Sequence, residues 1–348
     1  MKLEARIAFV VVTALAAAGA ASARQSPHAS AGKPILVRLG THAFGHTRAP
    51  DAVVARASAT QVGWQLEGDP SGPETFLVGR DRSIWLHDEV NHRLLVWRAG
   101  RPNAVARTIT LPFLNAEDVA FGPANTLYFD RAVPELKEFH LYRMSLGTGK
   151  LLWNRNLAPE AGNGNTSLRA GPDGRLYAIA GGTRWMPVAT PDGRPLSIAA
   201  QRRGAGDQPL RGGLRLVTRV MATHAPAREL RVSLVDRSGK VARAWRILSR
   251  TPVAFTGFYT PDLVHGDPVV VLDVQTGLNT PRIKWEYEVL RLSATGTRTR
   301  FSLRRTVYGD NLFADVRIGA DGNLYQLGSS PAAGASVSRY SLAPARRP

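Results

Sequence analysis

Four segments of this chain repeat one pattern, and the repeat restricts the fold more than any other feature. They are Thr75 to Trp85, Asp118 to Tyr128, Ser167 to Tyr177 and Asp315 to Tyr325. Each opens on a polar residue, runs through a short apolar strand into a tight turn, and reaches an aromatic ten residues after its opening. The Asp173-Gly174 and Asp321-Gly322 pairs read as hairpin turns, because Gly takes a positive φ at no steric cost and Asp tolerates it. Third strands follow, as at Arg93 to Trp97 and His140 to Met144. Outer strands follow those, as at Arg107 to Leu111 and Ala244 to Leu248.

The spacing divides the chain into six units: 70–113, 114–160, 161–205, 210–251, 252–306 and 307–342. Four-stranded units of this length, repeated around an axis, predict an all-β chain folded as a six-bladed β-propeller over 61–342. The last unit has only three strands, so an N-terminal strand near Gln61 to Leu66 is expected to supply the fourth and close the ring. Closure also suits a chain with no cysteine, since blade-on-blade packing replaces covalent staples.

The N-terminus reads as a secretory signal over 1–23. Lys2 and Arg6 precede an apolar run, Ile7 to Ala18, and Ala21-Ser22-Ala23 is a small-x-small cleavage site. The run is short for a bilayer span and no later one is longer, so a secreted or periplasmic protein with no transmembrane segment after cleavage is expected. Residues 24–60 read as a flexible lead and 343–348 as a short basic tail.

The strand starts align Thr75, Asp118, Ser167 and Asp315, with Asp262 as a fifth-blade counterpart. In a propeller these positions ring the channel. Such a ring of carboxylates and hydroxyls suits a sugar or a hard cation such as calcium; otherwise these side chains accept backbone N–H bonds at strand starts. A second candidate comes from charge. The chain carries a formal net charge of +18. Residues 201–250 hold eleven Arg and one Lys against Asp207, Glu229 and Asp236. Arg202, Arg203, Arg211, Arg215 and Arg219 lie in or beside a Gly-rich stretch read as a loop between blades three and four, an adaptable anion contact. Such a surface attracts polyanions without reading a base sequence, so specific nucleic-acid recognition is not expected.

The run Ser71 to Val78, followed by His87-Asp88-Glu89-Val90-Asn91-His92-Arg93, resembles the six-bladed NHL-like and gluconolactonase-like propellers. Gly322 to Leu327 is similar to the closing blade of an exported bacterial family of unassigned role. The resemblance implies the fold; the architecture hosts many unrelated activities. Two functions follow as expectations. One is an exported module that binds a protein or an anionic envelope polymer. The alternative is a metal-dependent hydrolase or lactonase at the channel. The related enzymes hold their metal with a Glu, Asn and Asp set; here Ser71 stands before Gly72-Pro73 where that family has Glu, and Glu74 follows.

Overall fold

A computed structural model describes residues 33–40, 46–67, 71–112, 116–133, 138–161, 167–180, 184–220, 229–249, 254–259, 263–276, 284–305 and 315–343. The signal read over 1–23 lies outside these residues. No helix among them is long and apolar enough to cross a membrane.

Six sheets are arranged as a six-bladed β-propeller. Blade one holds strands Phe76–Val78, Ile84–Asp88, Arg93–Trp97 and Val105–Thr110. Blade two runs from Ala116–Gly122 to Leu151–Asn156, and blade five from Ala254–Tyr259 to Gly296–Arg304. Blade six is Val316–Ile318, Leu324–Ser330 and Gly334–Tyr340, closed by Ala52–Ala57 pairing antiparallel to Gly334–Tyr340. The ring therefore closes with an N-terminal strand, as the three-strand count requires, but the strand is Ala52–Ala57 and not Gln61 to Leu66. Ala55 and Ala57 are small enough to bury fully against blade six. The Gln61 to Leu66 stretch docks on blade one instead, through the Gly63 N–H donating to Asp88 Oδ1 at 2.8 Å.

The lead expected over 24–60 also carries structure. Strand Ile35–Gly40 pairs parallel to Val241–Ser249 and adds a fifth strand to blade four. The chain then crosses the rim of blade five, where the Arg48 N–H donates to the Ser302 carbonyl at 2.8 Å, before reaching blade six. One N-terminal strap thus covers the open outer edges of three consecutive blades, which would otherwise present unpaired N–H and C=O groups.

Blade three departs from its repeat. Its sheet has three strands, Ser167–Ala170, Leu176–Ala180 and Arg184–Ala189. The place of the fourth is taken by helix α1 (Ile198–Gly204), with bridges at Pro195 and Gly206 on either side. Ser197 caps the helix by accepting from the Ala200 N–H. Buried Gln201 pins it inward: its Oε1 accepts from the Ala158 N–H at 2.8 Å and its Nε2 donates to the Leu196 carbonyl at 3.0 Å.

The repeat itself has a physical cause. Tyr177 and Tyr325 donate their hydroxyls to Asp173 and Asp321, the turn residues four positions earlier, at 2.7 and 2.8 Å. In blade one Trp85 reaches Asp81 through Ser83, at 2.9 and 2.6 Å. The preceding Gly171 and Gly319 leave room for the ring, since a Cβ there would lie 2.5 and 2.6 Å from the tyrosine carbons. Blade two breaks the rule: Ala124 stands where the others have Asp, in a positive-φ turn, and the buried Tyr128 hydroxyl has no partner among the described residues. Ala124→Asp supplies both an acceptor and a residue that tolerates φ of +54°. We expect it to stabilise the fold by about 1 kcal/mol. Urea unfolding checks this, and an unchanged or lower midpoint contradicts it.

Candidate functional site

The channel-ring residues come together around one carboxylate. Thr75, Asp118, Ser167 and Asp315 are all buried at the openings of the innermost strands of blades one, two, three and six. Asp262 lies outside the described residues. The inner strand of blade five opens at Ala254, so position 262 follows that strand and does not open it.

Asp118 accepts hydrogen bonds on both oxygens. Oδ1 takes the Thr75 hydroxyl at 2.6 Å, its neighbour's Val119 N–H at 2.8 Å, and the Arg317 guanidinium. Oδ2 takes the Leu168 N–H at 2.8 Å and Arg169 at 3.2 Å. Arg317 also donates to the Phe76 carbonyl at 3.0 Å and to the Thr75 hydroxyl at 2.9 Å. Burial is the largest effect and holds the Asp118 carboxyl above its ordinary value, while Arg169 and the Thr75, Leu168 and Val119 hydrogen bonds pull it down. Every group facing it is a donor, so the ionised form is the one that fits. The carboxylate joins blades six, one, two and three. Of the two readings of this ring, strand-start acceptor describes Asp118. Asp315 accepts from the Tyr287 hydroxyl of blade five at 3.1 Å, extending the same polar belt.

His87 lies beside this latch, its N–H donating to the Thr75 carbonyl at 3.0 Å. Its imidazole is buried, and desolvation pulls its pKa down to about 4, against the opposing pull of Asp118 and Asp88. The following residues give the Asp-x-x-Asn-x-Arg run a role. Asp88 Oδ2 accepts from Asn91 Nδ2 at 3.0 Å and Arg93 Nε at 2.8 Å, which ties the turn between the second and third strands. Among the described residues no group of three His, Cys, Asp or Glu side chains is placed to hold a metal ion.

The arginines of 201–250 do not form one loop cluster. Arg202 and Arg203 sit in the last turn of α1, where a flexible loop was expected, and Arg202 pairs with Glu160 at 2.9 Å. Arg211 opens a short 3-10 turn, Arg211–Gly213. Arg215 and Arg219 belong to the strand Arg215–Val220; Arg215 lies 3.7 Å from Asp207. What the sequence reading missed is their alignment. Arg219 stands opposite Arg231, and Arg231 opposite Arg246, across three strands of blade four. Glu229 sits between the last two, accepting from Arg231 Nε at 2.7 Å and from Arg246 at 3.1 and 2.8 Å. Arg246 first, then Arg231, hold the Glu229 pKa down to about 2.

A cleft lies between blades five and six, lined by His265, Arg291, Arg298 and Asn323 among others. Its two arginines are already spent on Asp267, at 3.1 and 3.2 Å.

No family model matches the chain, and no curated protein does. Solved structures share its general shape. Hydrazine synthase from Kuenenia stuttgartiensis is 14% identical with a TM-score of 0.41, covering 75% of this chain and 75% of its own. A glucose dehydrogenase is 13% identical with a TM-score of 0.41, covering 78% and 98%. Virginiamycin B lyase from Staphylococcus aureus is 10% identical with a TM-score of 0.40, covering 78% and 95%. At these scores the likenesses carry no inference about activity.

Two outcomes follow from the geometry. Asp118→Asn removes the charge that faces the buried Arg317 guanidinium and the half-buried Arg169, and should destabilise the fold by about 3–5 kcal/mol, read from denaturant unfolding. A loss below about 1 kcal/mol contradicts the latch. His87 binds its proton more weakly folded than unfolded, so stability should fall as pH drops from about 6.5 toward 4. His87→Gln should flatten the melting-temperature profile in that window relative to the parent; a parallel profile contradicts the assignment.

Proposed function

We propose that this chain is an exported binding module whose ligand is an anionic polymer of the cell envelope. The observation that carries the reading is the state of the channel ring. The metal-dependent alternative needs carboxylates with free lone pairs at the channel. Asp118, the central member, has both oxygens occupied and is flanked by Arg169 and Arg317. A divalent cation there would face two guanidiniums and would have to displace five protein donors. The reading therefore gives calcium no role at Asp118.

Binding, in contrast, uses what is left unspent. Arg38, Arg203 and Arg219 are exposed, and no acidic partner falls within ion-pair distance of any of them among the described residues. Arginine forks match carboxylate, sulfate and phosphate groups bidentately. A rigid disc of packed blades offers such groups a fixed surface.

The test uses the mature chain in two assays. Retention on an immobilised polyanion should persist to moderate salt. Addition of calcium should neither raise the melting temperature nor switch on hydrolysis of lactones. Divalent-dependent lactone turnover above the blank would overturn the reading in favour of the hydrolase.

A further inference from the structure

Among the described residues, neighbouring blades share apolar cores at every seam but one. Clusters of buried side chains join blades four and five, five and six, six and one, one and two, and two and three. Among the described residues no such cluster joins blades three and four. On the blade-three side Tyr177, Ile179 and Trp185 form a small cluster of their own.

The strand register shows why. Residues paired across a sheet share a face, and residues two apart along a strand return to it. In blade four Leu216, Val232, Trp245 and Val37 point to the blade-five core. The opposite face therefore carries Arg215, Val217 and Arg219 on one strand, Glu229, Arg231, Ser233 and the buried Val235 on the next, then Ala244, Arg246 and Leu248, then Leu36 and Arg38. Arg38, Arg215, Arg219 and Arg231 are exposed, and Arg246 is half-buried. Like charges directly opposite one another destabilise a sheet, and here three arginines stand in one row. Glu229 offsets two of them; Arg219 and Arg38, at the two ends of this wall, have no acidic partner among the described residues.

We infer that the blade-four wall of the third-to-fourth seam, built by Arg38, Arg215, Arg219, Arg231 and Arg246, is a binding site for a linear acidic polysaccharide, one bearing carboxylates along its length. The inference rests on the anionic-ligand reading above and gives it a place and a chemical class. Three observations select the class. First, the wall already holds a carboxylate in the geometry required, that of Glu229 between Arg231 and Arg246. Second, the exposed arginines lie on adjacent strands, about 4.8 Å apart, in a row across one sheet face, a spacing that a single extended chain with repeating carboxylates can follow. Third, Tyr177 and Trp185 are each only 6% exposed, so the facing wall offers no open ring on which nucleic-acid bases would stack.

The experiment measures binding of three labelled probes to the mature chain by fluorescence anisotropy: an oligogalacturonate, a polyphosphate of similar charge, and a single-stranded oligonucleotide. Two double variants are compared with the parent. R38Q/R219Q removes the two unpartnered wall arginines; R98Q/R101Q removes equal charge from an exposed hairpin of blade one. The expected result is tightest binding to the oligogalacturonate, weakened about tenfold in R38Q/R219Q and less than about twofold in R98Q/R101Q. Equal weakening by both variants would overturn the seam site while leaving the wider anionic reading standing. Tighter binding of the polyphosphate or the oligonucleotide would overturn the polysaccharide assignment. Binding of none of the three would overturn the site and the reading beneath it together.

Discussion

A buried carboxylate holds the centre of this ring. Asp118 has no exposure to solvent, and the desolvation of an isolated charge there would be prohibitive. It is tolerated because donors converge on it from other blades: Thr75 of blade one, Leu168 and Arg169 of blade three, and Arg317 of blade six. None of these groups is near Asp118 in sequence, so the network exists only when the blades are in register. Apolar packing between sheets tolerates small slides. A carboxylate with five donors does not, and it fixes how four blades meet at the axis.

The same interaction limits the chemistry available at the channel. A ring of polar residues at strand openings looks like a ligand site when only the sequence is in view. Here the donors that would select a ligand select each other. Asp118 has spent the lone pairs of both oxygens on structure, and the proposed surface lies where charge remains uncompensated. Uncompensated charge lies away from the axis, on blade four, whose seam-facing wall carries five arginines against Glu229.

The sequence made the repeat legible because each unit obeys a local rule. The glycine yields to the aromatic ring, the turn aspartate accepts its hydroxyl, and both partners lie within a few residues of each other. The six units and the closure by an N-terminal strand follow from counting strands. The identity of the closing strand was less legible. Ala52–Ala57 and Gln61 to Leu66 are equally long; the first is built mainly of small residues, while the second carries Trp64 and stands next to the first repeat. Helix α1 was hidden for a related reason: Ser197 is an ordinary capping residue, but the arginines and glycines around it read as a loop. The latch arginines left a faint signal. Arg169 and Arg317 occupy the same place in two of the four repeats, two residues after the ring position, where the other repeats have apolar side chains. Cross-strand pairing of Arg219, Arg231 and Arg246 has no such signal, since register between strands is set by turns and burial and not by spacing in the chain.

The asymmetry of the ring follows from how it is fastened. Blades six, one, two and three are drawn together by the axial carboxylate, and blades four, five and six are bound along their outer edges by the N-terminal strap. The two devices overlap at blade six. They leave the third-to-fourth seam outside both, and this is the seam without a shared apolar core among the described residues. Charge can accumulate on the wall of blade four because, beyond Val235, little of that face is buried. The arginine row costs stability locally, yet the blade is held firmly from its other side by Trp245, whose indole N–H donates to the Ser293 carbonyl of blade five at 2.8 Å. The proposed site for an extended anion is a face outside both fastenings, so filling it leaves untouched the contacts that keep the disc shut.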